Sequence, residues 1–161
     1  MIDCFLQIDG IKGESQDDKH KDWIGILSYN HSVSQNIGGA AGDAGGRTAG
    51  RCDHHDFQIT KTIDRATPNL NRACSEGRHI KKVTLALHTA AKDKQKIMEY
   101  IMTDVLITDV SVGTVEDKST YPIEHVSMNY GEIEWIYTAT DHKDGKKKED
   151  VKTKWSTIHN K

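Results

Sequence analysis

The chain opens on strict alternation. Ile2, Cys4, Leu6 and Ile8 fall on one side and Asp3, Phe5 and Gln7 on the other, the period of a half-buried strand. Asp9-Gly10 breaks the pattern, and residues 13–22 form a polar loop. Residues 23–35 predict a second strand. Leu27, Tyr29, His31 and Val33 share one face of it, and the small polar groups Ser28, Asn30, Ser32 and Ser34 share the other. Residues 38–51, GGAAGDAGGRTAGR, have almost nothing to bury and predict a flexible, exposed loop without structure of its own. Strand character returns over residues 52–63. One helix signal follows: Thr67 as cap, Pro68 in the first helical position, Gly77 as terminator, and a stripe of Leu70, Ala73 and Cys74 between them.

The remainder reads as strand. Val83, Leu85 and Leu87 share a face, and residues 95–115 alternate over a long run. The start of that run is ambiguous, because Ile97, Met98, Ile101 and Met102 also suit a helix. Pro122 opens a further strand in which Ile133, Trp135 and Tyr137 alternate with Glu132, Glu134 and Ile136. Asp144-Gly145 marks a turn, and residues 151–158 form the last strand. Strands, one helix and strands again, with short connections, predict a mainly β fold: a small antiparallel β-barrel of two sheets with one short flanking α-helix, residues 1–161 forming a single domain.

Composition sharpens this picture. Ile outnumbers Leu 16 to 6, and 14 Thr stand beside 8 Val, an excess of β-branched residues that favours strands. Charged residues make up 29% of the chain, yet the net charge is only −2, which argues against disorder and against a general attraction to nucleic acid or anionic membranes. No run of apolar residues is long enough for a transmembrane helix, so membrane insertion is not expected. The N-terminus lacks the pattern of a secretory signal. Cys4, Cys52 and Cys74 are odd in number and widely spaced, which favours reduced thiols over a disulfide framework.

Chemistry is sparse. Cys52, His54 and Asp56 would point the same way on a strand, and Cys52, His54 and His55 are the nearest approach to a metal-dependent enzyme site. No second ligand cluster pairs with them at familiar spacing, although His79 and His88 are available, so a polar strand start is favoured. Cys74 or Ser75 could serve as a nucleophile with some histidine, but Cys74 lies on the apolar stripe of the helix and reads as packing. The glycine-rich loop lacks a GK[ST] ending and precedes a strand, which disfavours a phosphate cradle. Lys146, Lys147 and Lys148 run straight into Glu149 and Asp150, the pattern of a solvated turn. No catalytic residue, cofactor or metal is expected, and the nine histidines leave room for pH sensitivity.

The order of segments resembles the haemolysin-coregulated protein family, the tube-forming component of bacterial type VI secretion. MIDCFLQIDGIKGESQDDKH is similar to the family's opening strand and Gly-Glu-Ser loop, and WIGILSYNHSVSQ with the glycine-rich loop follows. DFQITKTIDRATPNLNRACSEG is similar to its strand-to-helix signature, with Thr60-Lys61, Asp64, Thr67-Pro68, Leu70 and Ala73-Cys74 in the expected places. His31 departs from the pattern, standing where an aromatic is common. The resemblance implies a homo-hexameric ring and stacking of rings into a hollow tube. It also implies effectors in the lumen, spike and sheath components as further partners, and export from the bacterial cytoplasm without a signal peptide. On that reading Asn30, Ser32 and Ser34 are candidates for the lumen face. Gly38, Gly39, Gly42, Gly45, Gly46 and Arg47 become candidates for an arm that packs on a neighbouring subunit or ring. The chain has no residues left after its last strand for a fused toxin domain, and a structural, non-enzymatic role follows.

Overall fold

The computed structural model describes residues 1–39, 46–91, 93–116, 121–141 and 144–161. Among the described residues, ten strands and one helix follow in the order β1 (Ile2–Ile8), β2 (Ile24–Ile26), β3 (Ser28–Asn30), β4 (Val33–Gly38), β5 (Thr48–His54), β6 (Phe57–Thr62), α1 (Thr67–Glu76), β7 (Ile80–Thr89), β8 (Lys96–Gly113), β9 (Ile123–Thr140) and β10 (Lys147–Ser156). Eight strands form one antiparallel sheet in the order β2-β1-β7-β8-β9-β6-β3, with β10 added along β9. The sheet curls into a nearly closed barrel, and β4 and β5 form a separate two-stranded ribbon.

Pairing register explains the core. Ile24, Leu6, Leu85, Tyr100 and Trp135 sit opposite one another across five successive strands and line the barrel interior. Ile8, Val83, Met102 and Ile133 form the next row. All of these except Tyr100 and Trp135 are almost fully buried. Apolar residues two apart on each strand are therefore sufficient to build the interior, as the period of 2 requires.

The predicted single strand over 23–35 is in fact three. At Leu27 the chain leaves β1 and turns to β6, donating its N–H to the Thr60 carbonyl at 2.8 Å, and this corner closes the barrel. A second break after Asn30 sends β4 out into the ribbon. The predicted loop over 38–51 also needs correction. Gly38 pairs with Thr48 and Ile37 with Ala49, so both flanks of the glycine-rich stretch are strand. Poverty of side chains does not prevent a backbone ladder when the flanking residues pair. Gly42 and Gly45 lie outside the described residues.

The ambiguous run at 95–115 is strand from Lys96 onward, because Met98 and Met102 face Tyr137 and Ile133 across the β8–β9 ladder. The last strand starts at Lys147, earlier than its apolar pattern indicates, held by nine register pairs with β9.

In α1, Leu70 and Ala73 are buried and Gly77 ends the helix with φ +60°. Thr67 does not cap it. Ala66 occupies the cap position, and its N–H goes to the Asp64 carboxylate at 2.9 Å. The Thr67 hydroxyl instead donates to Glu124 at 2.8 Å, inside a buried polar cluster.

Candidate functional site

The most distinctive surface is the β4–β5 ribbon and its root. All six residues of β4 are exposed, as are Thr48–Arg51 on β5. The apolar side chains of Val33 and Ile37 are left 44% and 55% exposed, so the ribbon is held by its backbone ladder and not by a core of its own. Gly38, Gly39, Gly46 and Arg47 are exposed at its far end.

The root is an aromatic and imidazole cluster. His31, just before β4, packs among Phe57, Tyr100, Tyr130 and Trp135 at ring separations of 5.4–6.0 Å. The Trp135 indole N–H donates to His31 Nε2 at 3.0 Å. An accepting Nε2 makes His31 a neutral imidazole with its proton on Nδ1. That Nδ1 is buried without a hydrogen-bond partner among the described residues. His54, the last residue of β5, places Nδ1 3.0 Å from the Tyr130 hydroxyl and stacks on Trp155 at 6.3 Å. Burial pushes both imidazoles below their ordinary range, with His54 adding to the effect at His31 and His55 at His54. Burial also raises the Tyr130 hydroxyl, which stays a phenol and a donor. Arg51 adds a bond from its guanidinium to the Thr157 carbonyl at 3.3 Å. The ribbon is thus tied to β9, β10 and the C-terminal turn through its last few residues.

The candidate lumen residues do not share one strand. Asn30 is exposed at the end of β3, opposite Gln58, beside a polar groove that includes Ser28, Asp109 and Ser127. Ser32 lies between strands, and its carbonyl accepts the His55 N–H at 3.2 Å. Ser34 is on the ribbon, with its hydroxyl 3.0 Å from His55 Nε2.

The Cys52, His54 and His55 cluster does not converge. His54 turns to Tyr130 and His55 to Ser34, while the Asp56 carboxylate accepts bonds from Thr108 at 2.7 Å and Asn129 at 3.2 Å. The strand ends at His54, so the alternation that would have aligned these side chains stops there. Among the described residues, no three His, Cys, Asp or Glu side chains come together so as to hold a metal ion. Ser75 donates to the Asn71 carbonyl of its own helix at 2.8 Å, and Cys74 packs against the core, so neither is paired with a base.

A buried ion pair beneath α1 is legible only in retrospect. Lys61 and Glu124 are both fully buried, 2.5 Å apart, and Asp64 lies 2.8 Å from the same ammonium. Lys61 continues the inward parity of Phe57 and Ile59, and that parity was the available signal.

The family model described as "Type VI secretion system effector, Hcp" matches residues 5–137. The chain belongs to the Hcp family of type VI secretion proteins. The Hcp relative "Protein hcp1" of Pseudomonas aeruginosa is 33% identical over 99% of this chain and 97% of its own length. Among solved structures, a type six secretion system protein superposes with a TM-score of 0.93 at 28% identity, covering 100% of this chain and 99% of the other. Hcp1 from Salmonella typhimurium gives a TM-score of 0.80 at 29% identity, with 99% and 97% covered.

Proposed function

We propose that the chain is a tube subunit of a type VI secretion machine: a homo-hexameric ring that stacks into a hollow tube, carries effectors and leaves the cell with them. The observation that carries this reading is the full-length likeness to a type six secretion system protein at a TM-score of 0.93. Two features of the chain support it. The ribbon extends exposed apolar and glycine positions beyond the barrel, as an arm that packs on a neighbouring subunit or ring would. The barrel also offers a wet, weakly adhesive polar surface at Asn30, Ser28 and Gln58, suited to a lumen wall. Arg47 and the glycines around it are the proposed arm tip, and Asn30, Ser32 and Ser34 the proposed lumen contacts. The role is structural and does not require catalysis.

The test is light scattering on a sizing column followed by electron microscopy of the peak. Six copies of the 18.0 kDa chain give about 108 kDa, with ring-shaped particles. A stable monomer across a wide concentration range refutes the assignment. Deleting residues 40–48 should weaken ring or tube formation, and unchanged assembly by that variant removes the arm from the proposal. Bulky charged substitution at Asn30 should impair effector loading if that face lines the lumen.

A further inference from the structure

Away from the ribbon, residues 12–23 fold over the outer face of β1 and β7. The segment is tied to itself by five backbone hydrogen bonds, one of them from His20 to the Asp17 carbonyl at 3.0 Å. Gly13 N–H donates to Asp22 at 2.8 Å, Asp22 to Ser15 at 3.0 Å, Ser15 to Trp23 at 2.9 Å and Trp23 to His20 at 3.1 Å. A Cβ on Gly13 would stand 2.4 Å from the Trp23 carbonyl oxygen, so only glycine permits this closure.

His20 presses the segment onto the barrel. Its ring lies flat on Phe5 at 4.4 Å and meets His88 of β7 edge-on at 4.5 Å. Both imidazoles are more than nine-tenths buried, at 5% and 6% exposure. They are not equivalent. His20 Nδ1 is 2.7 Å from Asp17, whose other oxygen takes the Lys94 ammonium at 2.5 Å. His88 has no such support, and neither of its ring nitrogens has a hydrogen-bond partner among the described residues.

The charged groups around His88 come from every element packed on it. β1 contributes Asp3, its register partner, which lies 3.3 Å from Lys94. β8 contributes Lys96, the register partner on the other side, paired with Glu99 at 2.5 Å. The covering segment contributes Asp17, Lys19 and His20, and the turn after β7 contributes Lys94. Asp3 and Asp17 are both engaged by Lys94, so among the described residues a proton arriving on His88 finds several cations and no carboxylate without a cation of its own. Burial holds this imidazole below its ordinary range, with His20, Lys19 and Lys96 adding to the effect and Asp17 partly opposing it.

We propose that residues 12–23 are an acid-released clasp: protonation of His88 expels His20 from the sheet, opens the clasp and uncovers Phe5. The energetic logic is that a buried cation without a partner is relieved most cheaply by local opening. Residues 12–23 form no strand, so their opening breaks no ladder pair of the barrel. This inference concerns the single subunit and does not depend on ring formation.

The experiment is hydrogen exchange on the full chain at pH 7.5 and pH 5.5, with each rate divided by its intrinsic rate. The probes are the amides of Gly13, Ser15, Asp22 and Trp23, with Leu6 and Leu85 as core references. Protection of the clasp amides should fall about tenfold per pH unit once a single proton is coupled to opening. The core references also lose protection through global unfolding, so the deciding comparison is between wild type and His88→Leu at the clasp amides. In His88→Leu the clasp should stay closed at both pH values. Unchanged protection of the clasp amides in the wild type, or an equal loss at those amides in His88→Leu, overturns the proposal. Should His88→Leu fail to fold, an NMR titration of the wild-type His88 ring decides: it must gain its proton over the interval in which the clasp opens, and a ring that does not titrate there overturns the clasp.

Discussion

Removing the Lys61 ammonium should be among the most costly single changes in this barrel. Lys61 Nζ donates to Glu124 at 2.5 Å and to the Thr62 carbonyl at 2.9 Å, lies 2.8 Å from Asp64 and 3.4 Å from the Thr67 hydroxyl. Glu124 is fully buried, and its second oxygen already lacks a partner among the described residues. Lys61→Met keeps the stem and removes the charge, leaving Glu124 with the Thr67 hydroxyl alone on one oxygen. Stranding a buried charge in this way costs about 3–5 kcal/mol, a large fraction of the roughly 5–15 kcal/mol that holds a domain together. The double variant Lys61→Met/Glu124→Leu removes both charges and should recover most of the loss, because an apolar pair escapes the desolvation penalty. Asp64 stays partly exposed and keeps its bond to the Ala66 N–H, so it adds little to the residual cost. Urea unfolding followed by Trp fluorescence, at a concentration where the assembly state of all variants is the same, measures both. A loss under about 1 kcal/mol for Lys61→Met, the size of an ordinary hydrogen bond, would refute the argument. So would a double variant no more stable than the single one.

Three further outcomes follow from the packing. The imidazoles of His31, His54 and His88 are all held below their ordinary range, so the folded chain binds fewer protons than the unfolded chain. Stability should be full above about pH 6.5 and decline as pH falls from there, by at most about 1.4 kcal/mol per pH unit for each group. A urea midpoint that does not move between pH 7.5 and pH 5.5 contradicts this. Gly13→Ala should destabilise by about 1–3 kcal/mol, since backbone and not a flexible side chain occupies the Cβ position; circular dichroism melting reads the loss. Leu70→Ala empties a fully buried position under α1 and should cost about 2–5 kcal/mol, with an unchanged midpoint showing that the helix is not seated on the core.

Much of the barrel is legible in alternation alone. Ile2 to Ile8, Val83 to Leu87 and Ile133 to Tyr137 all lie on strands where the pattern puts them, because burial of one sheet face is a local rule. What alternation misses are events decided by partners far away in sequence. Over 23–35 the inward parity shifts, from Ile24 and Ile26 to Tyr29 and His31, and Leu27, expected on the apolar face, is exposed, because the partner changes from β1 to β6 there and nothing local records that. The ribbon is missed because its order resides in backbone pairing, to which side-chain composition is nearly blind. Thr67 reads as a cap by type, but the buried charges of Lys61 and Glu124 compete for its hydroxyl and win. The histidine cluster at 52–55 looks like ligands by spacing, whereas the end of β5 sends neighbouring rings to different elements.

The sheet order has a consequence for the time course of folding. The first strand made, β1, pairs with β7, and Ile8 cannot meet Val83 until half of the chain exists. By contrast β8, β9 and β10 form consecutive hairpins that need only local closure. Local pairs form early and distant ones late, because the entropy of closing a loop must be met before its contacts stabilise anything. The C-terminal meander is therefore the natural nucleus, and the N-terminal strand, paired early only with the three residues of β2, waits longer for its main partner. Until β1 docks against β7, the half-built sheet presents an open edge, so the rate of that one late step sets how long each new chain is exposed to misassociation.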